Sequence, residues 1–200
     1  MNKANEYISL VVETLMKLDH GQIEDAAEAF FETYQKGGNI YVFGNGGSGA
    51  TASHVTGDFL KGASYGLDKR FRMICLNDNI AAMMAIANDI GYEDIFVEQL
   101  KNYLKDGDLA VGISGSGNSE NVVRALQYAS DKGVNTLALT GFKGGKISSI
   151  AKNWVHANVQ DMEVTEDVHM VIFNIIKKEM QHRLMGDNPS MGEVYDSRVS

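Results

Sequence analysis

The chain has 200 residues, 44% of them hydrophobic and 22% charged, a composition that excludes a wholly disordered protein and indicates one folded domain. Its 18 Lys and Arg residues against 26 Asp and Glu residues give a net charge of −8, which disfavours sequence-independent binding to nucleic acid or to an anionic membrane. No stretch of about 18 apolar residues occurs and the single cysteine, Cys75, has no disulfide partner, so we expect a cytoplasmic protein without a signal peptide or membrane span.

Two amphipathic helices are predicted at the start of the chain. Apolar residues recur at helical spacing over residues 8–16 and again over residues 23–34. Gly37 and Gly38 then supply a helix stop. The pattern predicts an N-terminal helical hairpin.

Alternating strands and helices are predicted for the rest of the chain. Short runs of strand-forming residues lie at 39–43, 71–76, 109–113, 134–139 and 154–159. Helices are predicted from about residue 50, then at 80–90, 95–104, 122–130, about 147–151 and 165–184. This order predicts an α/β fold of the flavodoxin-like or Rossmann-like type, with a five-stranded, mostly parallel sheet flanked by helices, in a single domain over residues 1–185. The tail, residues 186–200, loses the periodicity and is predicted to be an arm or disordered.

A glycine-rich loop follows the first predicted strand and precedes a helix. Its sequence, GNGGSG at residues 44–49, matches the dinucleotide-binding fingerprint, and backbone N–H groups at such a helix start favour phosphate. The acidic residue expected about 20 residues further on is misplaced, because Asp78 comes roughly thirty residues after the loop. A nicotinamide site is therefore disfavoured, and a glycine loop that only makes a tight turn is the alternative.

A second loop, SGSGNSEN at residues 114–121, also lies between a predicted strand and a helix. Three hydroxyls, those of Ser114, Ser116 and Ser119, converge there with the amides of a helix start. Serine hydroxyls donate to phosphate oxygens without a cation, so the loop predicts a site for a phosphate monoester in this acidic chain. The alternative is that Ser119 only caps the helix.

These motifs together resemble the sugar isomerase (SIS) domain family. The resemblance rests on GNGGS at 44–48 with His54 and an acid at 58, on Asn88-Asp89, and on GISGSGNS at 112–119. Within the family, the chain is most similar to the phosphoheptose isomerases, over residues 5–185. The resemblance implies conversion of sedoheptulose 7-phosphate to an aldoheptose 7-phosphate through an enediol.

The resemblance also implies an assembly and a set of binding residues. It implies a cytoplasmic homotetramer, with the opening helices in a subunit bundle and the active sites at subunit contacts. The residues that it assigns to the sugar phosphate are Asn45, Gly46, Gly47, Ser48, Asn88, Asp89, Ser114, Gly115, Ser116, Ser119 and Glu166.

An enediol route needs a base and an acid on either side of the carbon–carbon bond. His54 and Asp58 are spaced i, i+4 and therefore share one face of a helix, and Glu166 and His169 form a similar i, i+3 pair. We expect Glu166 or Asp58 to be the base, and His169 or His54 the acid. The alternative for both pairs is a solvated ion pair with no catalytic role.

A divalent metal is a further expectation from the resemblance. Family members that bind zinc use a His and a Glu on the first helix, then a Gln and a His on the last, where this chain has His54, Asp58, Glu166 and Asn174. His54, Asp58 and Glu166 remain candidate metal ligands, with a preference for ions harder than zinc. Because Asn174 removes the expected histidine, a non-catalytic SIS module that binds a phosphosugar or a protein partner is the alternative function.

Overall fold

A computed structural model describes residues 2–186 and 191–200 of the chain. Five strands form one sheet: β1 (Ile40–Gly44), β2 (Met73–Cys75), β3 (Leu109–Ser114), β4 (Asn135–Thr140) and β5 (Asn153–His156). The helices are α1 (Lys3–Met16), α2 (His20–Lys36), α3 (Gly46–Lys61), α4 (Ile80–Asp89), α5 (Val97–Tyr103), α6 (Glu120–Asp131), α7 (Ile147–Ile150), α8 (Met162–Met185) and α9 (Met191–Val199). A 3-10 turn at Tyr92–Asp94 precedes α5.

The two predicted N-terminal helices are present, each packed against α8, and local capping explains their limits. Asn2 caps α1 through its side chain, and Asp19 accepts hydrogen bonds from the first amides of α2. Gly37 ends α2 in the left-handed conformation, at φ +68°, which a glycine adopts without steric cost.

The sheet is parallel throughout, in the order β2-β1-β3-β4-β5. The chain passes from β1 to β2 at one edge of the sheet, and from β3 to β4 towards the opposite edge. The topological switch point therefore lies between the neighbouring strands β1 and β3. Ligands of open α/β sheets bind beyond the carboxyl ends of the strands at that point. The topology therefore directs attention to the loops after β1 and β3.

Successive residues of each strand point to opposite faces, and two apolar clusters result. Val42 and Val111 belong to the cluster covered by α1, α2, α3 and α8, whereas Tyr41 and Ala110 belong to the one covered by α4 to α7. Cys75 is a free cysteine buried in the first cluster, where it packs as an apolar residue.

The structure refines the predicted elements at several places. The helix predicted at 95–104 is shorter and follows the 3-10 turn, and α3 begins at residue 46 rather than near 50. In the tail, residues 191–199 form α9, which has no buried residue, while residues 187–190 lie outside the described part of the chain. No helix in residues 2–186 or 191–200 is both long and apolar enough to cross a membrane.

Candidate functional site

The two loops singled out in the sequence lie side by side at the carboxyl edge of the sheet. Gly44 at the end of β1 is paired with Ile113 near the end of β3. Helix α3 starts at Gly46 and α6 starts at Glu120, so two helix N-termini with unpaired backbone N–H groups meet at this edge. Their dipoles favour a negatively charged ligand there.

A pair of side-chain amides joins the two loops. Asn45 Nδ2 donates to Asn121 Oδ1 and Asn121 Nδ2 donates to Asn45 Oδ1, each over 2.9 Å. The Tyr92 hydroxyl also donates to Asn45 Oδ1, at 2.9 Å. Asn45 occupies the N-cap position of α3 but makes no capping hydrogen bond through its side chain, because that side chain is used across the loops. Asn121, which is buried, and Asn45, which is half-buried, therefore hold the two helix starts in one arrangement.

The serine loop is shaped by its own hydrogen bonds. The hydroxyl oxygens of Ser114 and Ser119 are 3.0 Å apart, and Ser119 makes no side-chain capping bond to α6. Capping alone does not explain this serine. Asn118 donates to the Ser116 carbonyl at 2.9 Å and accepts from the Lys146 amide at 3.1 Å, which ties the loop to the segment after β4.

That segment after β4 approaches the serine loop closely. A Cβ added to Gly117, where φ is +66°, would lie 1.9 Å from the Gly144 carbonyl oxygen, so only glycine fits. The Gly141 amide donates to the Gly115 carbonyl at 2.9 Å. Phe142 has a φ of +47°, a conformation that is rare for a residue with a side chain and that the surrounding contacts must maintain.

A small cavity of about 250 Å³ lies between the two loops and the start of α8. Its lining contains amide, hydroxyl and backbone groups, and Glu166 is the one ionisable residue among the described residues that line it. The lining residues are Asn45, Gly46, Gly47, Ser48, Ile113, Ser114, Gly115, Ser116, Ser119, Met162 and Glu166. The structure thus brings together most of the predicted binding residues.

The carboxylate of Glu166 lies against the backbone of Gly47. A Cβ added to Gly47 would be 2.1 Å from Glu166 Oε2, so the missing side chain makes room for this carboxylate. Position 47 is in the first turn of α3, where the helix dipole stabilises a negative charge. The neighbouring Asp167 points elsewhere and accepts a hydrogen bond from the Tyr7 hydroxyl at 2.8 Å.

His54 and Asp58 share a helix face as predicted, but neither lines the cavity. His54 Nε2 lies 3.7 Å from Asp58 Oδ2, and the Lys177 ammonium donates to the same carboxylate oxygen. Within the described ranges, no three His, Cys, Asp or Glu side chains cluster as metal ligands. The predicted metal set of His54, Asp58 and Glu166 is therefore not assembled, and the residues present do not fit a divalent ion.

His169 cannot be the acid predicted from the sequence. Its side chain is buried in the interior under the site, with 1% of the residue exposed, and it does not line the cavity. Neither ring nitrogen makes a hydrogen bond to any described residue. Burial lowers the pKa of His169 to about 4, so the ring is neutral near pH 7. The predicted i, i+3 pair of Glu166 and His169 places only Glu166 at the cavity.

Asn88 and Asp89 lie at the exposed end of α4 and are not among the cavity-lining residues. Asn88 Nδ2 donates to Asp89 Oδ1 at 2.7 Å. Their contact with a sugar stays a prediction.

Three residues that contact the predicted site residues received no role from the sequence. Asn121 lies two positions after Ser119. The signal that could have identified it was a side-chain amide at the start of a predicted helix, in the loop that faces Asn45. Tyr92 and Lys177 reach Asn45 and Asp58 from distant parts of the chain, and no local pattern marks them.

Comparisons with known proteins find relatives of this chain in sequence and in fold. A family model described as the SIS domain matches residues 5–141. The chain is 34% identical over 172 residues to the probable phosphoheptose isomerase of Thermoplasma volcanium, a match that covers 86% of this chain and 87% of the relative. It is 35% identical over 168 residues to the phosphoheptose isomerase of Aneurinibacillus thermoaerophilus, covering 84% and 82%. Among solved structures, the phosphoheptose isomerase of Neisseria gonorrhoeae superimposes with a TM-score of 0.80 at 28% identity, covering 88% of this chain and 94% of that one.

Replacing Asn121 tests the amide pair. Asn121→Leu removes both hydrogen bonds to Asn45 and leaves the Asn45 Nδ2 group without its acceptor in a partly buried place, at a cost of about 1–3 kcal/mol. We expect inorganic phosphate to bind at least tenfold more weakly, measured by calorimetry. Asn121→Gln, which keeps the amide group and adds no charge, is the matched control and should show a smaller loss. Binding by Asn121→Leu at the wild-type affinity would show that the pair does not organise the site.

The buried His169 predicts a pH-dependent stability. Its pKa is about 4 when folded against an ordinary value of 6.5, so between these pH values the unfolded chain binds more protons than the folded one. The free energy of unfolding should therefore decrease as the pH falls through this window. His169→Gln should have a shallower dependence of Tm on pH over the same range, and an equal slope in both proteins would contradict the neutral, buried ring.

Proposed function

This chain belongs to the SIS-domain family, and from that premise we propose that it is a phosphosugar isomerase that converts sedoheptulose 7-phosphate into an aldoheptose 7-phosphate. The observation that carries the proposal is the cavity in which the serine loop, two helix N-termini and the Glu166 carboxylate meet. An enediol reaction on this sugar phosphate requires a site that holds the phosphate on C7 and a proton carrier that reaches C1 and C2 at the other end of the sugar chain.

The phosphate is assigned to the serine loop. The hydroxyls of Ser114, Ser116 and Ser119 line the cavity, and the N-terminus of α6 adds backbone donors and a favourable dipole. No lysine or arginine is among the described residues that line the cavity. On this proposal, the hydroxyls and helix-start amides therefore bind the phosphate without a cationic side chain.

Proton transfer is assigned to Glu166. Its carboxylate removes a proton from C1 of the ketose, the electrons move to give an enediol, and the same carboxyl group returns a proton to C2. The proton that moves from O1 to O2 needs a group that both donates and accepts. We assign this relay to the Ser48 hydroxyl on the cavity wall, because the Asn45 amide is held by Asn121 and is neither an acid nor a base near pH 7. Glu166 and Asp58 were the two bases predicted from the sequence. This assignment retains Glu166 and gives Asp58 no part in the chemistry.

The assembly is proposed to be a cytoplasmic homotetramer. The apolar face of α1 remains exposed at Ile8, Val12 and Met16 in the single chain. A groove of about 820 Å³ lies between α1, α2 and α8, with apolar walls that include Leu15 and Ile175. Burial of this surface against other copies is the expected source of association.

A second candidate function is phosphosugar binding without turnover. It is favoured by one observation, the engagement of Asp58 by Lys177, which removes a carboxylate that the resemblance would make catalytic. An assay by nuclear magnetic resonance with sedoheptulose 7-phosphate separates the two functions. Saturable binding that Ser116→Ala abolishes, with no aldoheptose phosphate formed by the wild type, would establish the binding module instead.

The role of Glu166 is tested by Glu166→Gln, which keeps the shape and removes the base. Turnover should decrease on the order of 10²- to 10⁴-fold while the substrate still binds. Asp167→Asn is the matched control, because this adjacent carboxylate faces Tyr7 rather than the cavity, and it should retain most activity. Full turnover by Glu166→Gln would remove this residue from the chemistry.

The assembly is tested by light scattering. The wild type should have four times the mass of the 21.9 kDa chain, whereas the double variant Val12→Asp, Met16→Asp should form smaller species because it places charges on the exposed apolar face. Lys3→Asp, at the exposed start of the same helix, is the control. A monomeric wild type would contradict the proposed tetramer.

A further inference from the structure

Lys177 and Asp58 form an ion pair between α8 and α3, on a part of these helices away from the cavity. The ammonium donates to Asp58 Oδ2, and both side chains are largely shielded from water, with 17% and 23% of their surfaces exposed. The His54 ring lies 3.7 Å from the same oxygen and is 58% exposed. A lysine thus occupies the carboxylate that, with His54, the family resemblance would give to a metal.

The positive charge of Lys177 stands where a divalent cation would have to bind. A metal on Asp58 would have to displace the ammonium, or sit within a few ångströms of a like charge in a place with little water to screen the repulsion. Displacement would also leave the lysine without its partner in a largely buried position. Either course lowers the affinity for a metal.

The remaining candidate ligands do not compensate. Glu166 lies at Gly47, eleven residues before Asp58 on α3, which corresponds to about 16 Å along the helix axis. Asn174 lines an exposed groove on α8 together with Val171 and Lys178. Within this chain, His54 and Asp58 are left as a two-ligand site that the ammonium already fills.

We propose that Lys177 is the resident cation of this site, a positioning residue that neutralises and holds Asp58 in place of a divalent metal. The protein therefore binds no stoichiometric divalent metal at His54 and Asp58. On the proposed function, its turnover is also unaffected by a chelator. Metal binding can be measured whether or not the protein is an isomerase. A failure of this proposal is therefore distinguishable from a failure of the proposed isomerase function.

The test is calorimetric titration of the chelator-treated full chain with Zn²⁺ and Mn²⁺. The wild type should bind less than one tenth of an equivalent at this site. Lys177→Met, which keeps the length of the side chain without its charge, should bind Zn²⁺ at least tenfold more tightly, and adding Asp58→Asn should abolish the gain. Lys177→Arg should behave as the wild type does, and so should Lys178→Met, which removes the adjacent exposed lysine.

Two results would overturn the proposal. One is a full equivalent of metal on the wild type that Asp58→Asn or His54→Ala removes. The other is a Lys177→Met variant, shown to be folded by its circular dichroism and Tm, that binds Zn²⁺ no more tightly than the wild type does. A structural role for Lys177 alone would change Tm and leave the metal titration unaltered.

Discussion

The reciprocal hydrogen bonds between Asn45 and Asn121 are the interaction on which the site depends. Parallel pairing brings the ends of β1 and β3 together, but pairing alone does not set the distance between the helices that follow. The two amides do so from N-cap and first-turn positions, and Tyr92 adds a third contact from outside both loops. The cavity, the helix-start amides beside it and the wall opposite Glu166 all follow from that spacing.

Charge explains how an acidic chain can hold an anionic ligand. The net charge of −8 disfavours a diffuse anion-binding surface, and the described lining of the cavity offers hydroxyls and helix starts in place of lysine or arginine. Glu166 is kept close to these groups by the first turn of α3 and by the space above Gly47. Lys177 meanwhile pairs with Asp58 on a separate stretch of α3, so the two carboxylates have different surroundings.

Local sequence patterns predicted the fold and the positions of the two loops well, because strand runs, helical stripes and glycine-serine loops are properties of neighbouring residues. The five parallel strands are confirmed, and the structure brings the two loops together. The burial of His169 and the pairing of Asp58 with Lys177 depend on how α8 packs on the sheet and on α3, which spacing along one helix does not reveal. His54 and Asp58 were correctly placed on a shared helix face, whereas of Glu166 and His169 only Glu166 lines the cavity.

The most direct test of the proposed site is a crystal structure of the protein with sedoheptulose 7-phosphate bound. We expect the phosphate among the hydroxyls of Ser114, Ser116 and Ser119, with C1 or C2 of the sugar within about 3.5 Å of the Glu166 carboxylate. A phosphate bound elsewhere, or a sugar whose C1 and C2 lie beyond the reach of Glu166, would contradict the proposed site.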